Sequence, residues 1–134
     1  MNSSPKPLTG LEPLEWRSGP SEDDLVAAES LLGLVMTRRR ATGAALRFRS
    51  ARPARHKAGD ILRIAGLPLP VAGDPALKEY REAIRQGTPL APLLLVRDPA
   101  SLRLLVAAGY HRLCAVYLFS ANAEISCLIA NSGS

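Results

Sequence analysis

Leu104-Leu-Val-Ala-Ala-Gly109-Tyr-His-Arg-Leu-Cys-Ala-Val-Tyr117 decides how this chain folds. Its apolar residues change period at Gly109. Before it, Leu102 to Ala107 reads as a strand; after it, Leu113, Val116 and Tyr117 fall on one helical stripe. Upstream, Leu93 to Arg97 reads as a buried strand begun by Pro92, and Asp98-Pro-Ala-Ser101 as the turn of a hairpin joining the two. Downstream, Ser120 to Glu124 is a polar connection and Ile125 to Ala130 a closing strand. A strand that hands its chain to a helix through a glycine, with a further strand behind, predicts an α+β fold: a small mixed sheet packed with short helices.

The remaining segments fill in around that core. Ser21 before Glu22-Asp-Asp24 marks a helix start, with a side-chain oxygen for the free amides and acids at the positive end of the dipole. This helix is predicted to reach Val35, with Leu25, Ala28, Leu32 and Val35 inward and Leu31 beside them. Residues 37 to 44 read as a basic connection, Ala45 to Arg49 as a short alternating strand with Leu46 and Phe48 on one side and Arg47 and Arg49 on the other, and Arg52 to His56 as a turn. Lys57 to Ala65 is predicted as a brief helix closed by Gly66, with Ile61, Leu62 and Ile64 inward. The prolines of Leu67-Pro-Leu-Pro-Val71 remove ladder donors and exclude an interior strand. Asp74 as cap, Pro75 at the first helical position and Gly87 at the end bound a helix with Leu77, Tyr80 and Ile84 on one stripe, and Lys78 and Glu82 as an exposed pair.

At 134 residues with 47% apolar and 22% charged residues, the chain fits one domain and no second core of similar size. The expected division is a loose arm over 1–20, a domain over 21–130 and a disordered tail over 131–134, with Leu14 and Trp16 pinning the arm to the body. The longest apolar run, Pro89 to Val96, falls far short of the roughly 18 residues that cross a bilayer. With no hydrophobic signal segment behind Met1 either, a cytoplasmic protein without a membrane partner is the expectation. Cys114 and Cys127 form neither a redox pair nor, with the distant His56 and His111, a zinc set; two buried thiols and no metal site are expected.

The net charge of +5 is unevenly placed. Arg38, Arg39, Arg40, Arg47, Arg49, Arg52, Arg55 and Lys57 lie in one stretch without an acid, and leave the rest of the chain at −3. Such a run suits phosphate, nucleic acid or an acidic partner. It equally suits a solvated surface in a chain where 14 of the 17 cations are arginine.

Gly109-Tyr110-His111-Arg112 is the candidate site. The glycine lets the backbone turn tightly and approach a ligand, and the first helical amides have no partner within the helix and favour an anion. Arg112 supplies a rigid fork of donors and His111 a group able to donate, accept or transfer a proton. The same residues also fit a structural corner, with a turn glycine, a capping histidine and an arginine in a surface salt bridge.

With Leu94-Leu-Val-Arg-Asp98 before it, this unit resembles the core of the ParB/sulfiredoxin superfamily, closest to its small stand-alone ParB-like nuclease domain proteins. Asp60-Ile-Leu-Arg-Ile-Ala-Gly-Leu-Pro-Leu-Pro70 and residues 74–90 follow the same pattern, so that the likeness covers about 57–130. The resemblance implies a helix start that cradles nucleotide phosphates, with Gly109 as turn glycine and His111 and Arg112 on phosphate oxygens; the same two would be the catalytic residues if the chain is an enzyme. Members bind and hydrolyse CTP, use ATP to repair oxidised cysteine, or phosphorylate free serine, so a nucleoside triphosphate with Mg2+ is the implied cofactor. Sulfiredoxins carry a catalytic cysteine where this chain has Tyr110, which argues against sulfinic acid repair. Small relatives carry an Asp before the glycine where this chain has Ala108, and this removes a carboxylate; Asp74 and Asp98 are the acids left to approach the corner. The expected function is therefore binding of a nucleotide or other phosphate-bearing ligand, with catalysis weak or absent. The alternatives are a nucleic-acid-binding module or nuclease using the Arg38–Lys57 run, and a non-catalytic accessory protein that binds a partner.

Overall fold

The computed structural model describes residues 14–132. Four strands, β1 (Ala54–Lys57), β2 (Leu93–Asp98), β3 (Arg103–Ala108) and β4 (Glu124–Asn131), form one mixed sheet in the order β1-β4-β2-β3. β2 runs parallel to β4, and β3 and β1 close the two edges antiparallel. Two helices, α1 (Glu22–Leu32) and α2 (Arg38–Ser50), cover one face. Three more, α3 (Ala58–Ala65), α4 (Lys78–Arg85) and α5 (Tyr110–Phe119), cover the other.

Strand alternation sorts the core into these two layers. Leu94, Val96, Leu128 and Ala130 meet Leu25, Leu32, Ala44 and Phe48 on the α1–α2 side. Leu93, Leu95, Ile125 and Cys127 meet Ile61, Leu62, Ile84, Leu113 and Val116 on the other. Because both faces are covered, β2 reads as a continuous apolar run rather than an alternating one. The register slips where Leu94 faces Ala108 and Leu95 faces Val106. Ala107 is the extra residue of a bulge, placed just before the strand delivers its chain to Gly109. The strand, hairpin and helix expected between Leu93 and Ala130 are all present, as are the cap of α1 by Ser21 and the closure of α3 by Gly66. The arm is pinned as expected at Trp16, which bridges Leu90 and packs on the core with Leu14; residues 1–13 lie outside the described residues.

Several expectations are corrected. Residues 37–49 are neither a connection nor a strand but the 13-residue α2, capped by Thr37, whose hydroxyl accepts from the Arg40 amide at 3.2 Å. The buried residues Ala41, Ala44, Ala45 and Phe48 recur with helical spacing, while Leu46, which was to share a strand face with Phe48, is 62% exposed. The turn over 52–56 is in large part β1, an edge strand whose Arg55, His56 and Lys57 are exposed and so carry no hydrophobic alternation. α1 ends at Leu32 with Gly33 as its cap, and leaves Val35 on the surface; Ile64 of α3 is exposed as well. Asp74 and Pro75 open a single 3-10 turn (Pro75–Leu77) before α4, and Glu82 pairs with Arg85 at 2.8 Å rather than with Lys78. At the C-terminus Asn131 belongs to β4 and Ser132 donates its amide to Arg97 O; residues 133–134 lie outside the described residues.

Candidate functional site

Gly109 adopts φ +104° and ψ 15°, which few side-chain-bearing residues adopt, and caps α5 without a side-chain hydrogen bond. The first helical bond runs from Leu113 N to Gly109 O, so the amides of Tyr110, His111 and Arg112 precede the ladder. The helix start expected from the sequence is thus in place. Its four residues, however, point to different surroundings. His111 is exposed. Tyr110 turns toward the 67–71 segment, and its hydroxyl donates to Pro68 O at 3.1 Å.

Arg112 turns inward. It is 6% exposed, and its guanidinium lies over Gly109, where an added Cβ would sit 2.8 Å from Nη2. Nη2 donates to Asp24 Oδ2 at 2.7 Å and Nη1 to Asp24 Oδ1 at 3.3 Å, and Nη2 also reaches Pro92 O at 3.3 Å. Nε is buried without a hydrogen-bond partner. The fork read from the sequence as free for a ligand therefore holds an internal carboxylate. This is the salt bridge of the structural alternative, but buried rather than on the surface.

Asp24 is the site residue that sequence reasoning missed. It lies 88 positions from Arg112 and was visible only as an acid in a first helical turn. That turn serves two partners. Glu22, two residues earlier, takes both guanidinium N–H groups of Arg49 at 2.8 Å, so the first turn of α1 joins the end of α2 to the start of α5. The hydrogen bond holds the Glu22 carboxyl below its ordinary pKa and raises that of Arg49. The two cationic regions of the sequence thus meet at one acidic helix turn.

No family model, curated protein or solved structure matches the chain.

Of the two acids expected to approach the corner, Asp98 sits at the far end of β2. There it accepts from the Ser101 hydroxyl at 2.7 Å, the main cause of its lowered pKa. Asp74, which caps the 3-10 turn through the Ala76 amide, acts electrostatically on both Tyr110 and Cys114. Contact with the Cys114 thiol raises the Tyr110 pKa first, and partial burial and Asp74 add to it. Burial raises the Cys114 pKa and pushes Cys127 up to about 12. Both thiols are buried, as expected. In native protein at pH 8, neither is expected to react with a disulfide reagent over an hour, and both to react at once in 6 M guanidinium; stoichiometric reaction of native protein within minutes would contradict this burial.

Among the described residues no group of three or more His, Cys, Asp or Glu could hold a metal ion, and no helix is long and apolar enough to cross a membrane. A cleft of about 470 Å3 opens at the other end of α5, between Asp60, Arg63, Tyr117 and Asn122, and none of the four corner residues lines it.

Proposed function

We propose that the chain is a small ParB-like domain that binds a nucleotide, or another ligand bearing a phosphate, at the N-terminus of α5. The observation that supports this best is the oxyanion already bound at this corner: the Asp24 carboxylate takes both arms of the Arg112 guanidinium, which itself lies against Gly109. A corner built to take one oxyanion, beside uncapped amides and an exposed imidazole, has the chemistry to take a second on its open side. His111 and the Tyr110 and His111 amides are then the ligand contacts, and Arg112 a positioning residue that fixes the helix start. The resemblance of the Gly109–Arg112 unit to nucleotide-binding relatives points the same way.

Binding rather than turnover is the reading, because phosphoryl transfer also needs an oriented nucleophile and a group that holds metal or takes a proton. At the corner Asp74 is the carboxylate of the neighbouring turn, while Asp24 is engaged by Arg112. A magnesium ion entering with a nucleoside triphosphate would rest chiefly on the phosphate oxygens.

Calorimetric titration with ATP, CTP and GTP in the presence of Mg2+ tests this. Saturable binding of one of them is expected, weakened about tenfold in His111→Ala, which removes an exposed side chain and leaves the fold intact. No heat and no thermal shift with any of the three at millimolar concentration would overturn it, leaving the nucleic-acid and partner-binding alternatives.

A further inference from the structure

The fold divides the basic run of the sequence into two faces. On the flank of α2 turned to α1, Arg49 is held by Glu22, Thr42 donates to Glu29, and Arg38 shares a shallow groove with Glu29. On the opposite flank, Arg40 lines a groove with Ser132, and Arg47 reaches Asn131 O at 3.5 Å. The chain then passes through Arg52 into β1, where Arg55 lies opposite Ser126 and Lys57 opposite Glu124. Arg40, Arg47, Arg52, Arg55 and Lys57 are all exposed, and the β4-side positions met by four of them, Ser132, Asn131, Ser126 and Glu124, run from the end of β4 to its start. At about 3.3 Å per residue the stripe is roughly 23 Å long.

We propose that this stripe binds the phosphate backbone of double-stranded nucleic acid. A duplex offers a rigid row of negative charge, one per strand every ~3.4 Å, so the stripe spans about seven base pairs. Single strands are normally held with stacking aromatics, and Phe48, the aromatic of α2, is fully buried. A membrane surface would need an apolar face beside the charge, but the apolar face of α2 lies against the sheet and Leu46 alone breaks its outer surface. Helix stability does not account for the placement either. Arg38, Arg39 and Arg40 stand at the positive end of α2, with no acid in the first turn, opposite to what the helix dipole favours. Charge that keeps edge strands apart accounts for Arg55 and Lys57 but not for the residues of α2. The stripe includes neither His111 nor any other residue of the α5 corner.

The test is fluorescence anisotropy with a labelled 20-base-pair DNA duplex of mixed sequence. One phosphate each for Arg40, Arg52, Arg55 and Lys57 predicts a log–log salt slope of about −3.6, so affinity falls about 150-fold between 50 and 200 mM salt. In a variant carrying Arg40→Glu, Arg52→Glu and Arg55→Glu the slope should drop by about three, and the glutamine versions should show the same direction. A control with Lys78→Glu, Arg63→Glu and Arg85→Glu makes the same change in charge on the opposite face of the sheet and should keep most of the binding. Absence of binding at 50 mM salt, equal loss in the control, or stronger binding to single strands or to phosphatidylserine vesicles would overturn the proposal. His111→Ala should leave duplex binding unchanged, which separates this outcome from that of the nucleotide titration.

Discussion

Asp24→Ala is expected to lower stability by about 3 kcal/mol, with a comparable loss for Arg112→Ala, read as a drop in the urea midpoint at unchanged slope. The reason lies in what each substitution leaves behind. Arg112 is 7% and Asp24 16% exposed at the side chain, so removal of the carboxylate strands a guanidinium that water cannot reach. Among the described residues Arg112 would keep only Pro92 O at 3.3 Å, with Nε already unpartnered. Removal of both charges should cost much less than the sum of the two single changes. Asp24→Leu with Arg112→Met fills similar volume without a buried charge, and is expected to recover more than half of the loss. Glu22→Ala should change stability little, because its pair with Arg49 is open to solvent. A change from Asp24→Ala no larger than that from Glu22→Ala would show that the buried pair does not hold α1 to α5.

That pair also shows where sequence reading stops. The run from Leu93 to Ala130 was legible because each of its elements carries a local signal: two proline-led or turn-led strands, a glycine junction, and a helical stripe at Leu113 and Val116. α2 was misread because the pattern at Leu46 and Phe48 mimics a strand over five residues, whereas the alanines at 41, 44 and 45 show the helical period only when taken with Phe48. β1 was missed because an exposed edge strand with Arg55, His56 and Lys57 outward has no apolar face to display. At the site, Gly109 and the helix start followed from local spacing. The orientation of Arg112 did not, since Asp24 comes from a different layer, and an acid in a first helical turn looks the same with or without a distant partner. The basic run was visible as a total, but its division into a flank that meets Glu22 and Glu29 and a flank that follows β4 depends on how α1 lies beside α2.

Gly109→Ala is expected to be among the most damaging single-atom additions in the chain, at about 3 kcal/mol. Two effects combine. A side chain at φ +104° is strained by roughly 1–2 kcal/mol. The added Cβ would also meet Arg112 Nη2 at 2.8 Å and Leu93 Cγ at 3.0 Å, and neither gives way easily: Leu93 is fully buried, and the guanidinium is fixed by Asp24. Overpacking of this kind typically adds 1–3 kcal/mol. Gly66 and Gly87 provide the comparison, since they have φ +67° and +74° but nothing within 4 Å of an added Cβ. Their alanine variants should show the strain alone, about 1 kcal/mol each. The excess at Gly109 then measures the crowding against Arg112 and Leu93. In an Arg112→Ala background the same Gly109→Ala change should cost less, because the nearest atom is gone, and a double-mutant cycle reads that coupling directly. Equal losses at all three glycines would mean that Gly109 serves the turn alone. A larger loss at Gly109 that shrinks when Arg112 is absent would mean that the glycine also makes room for the guanidinium on which the corner is built.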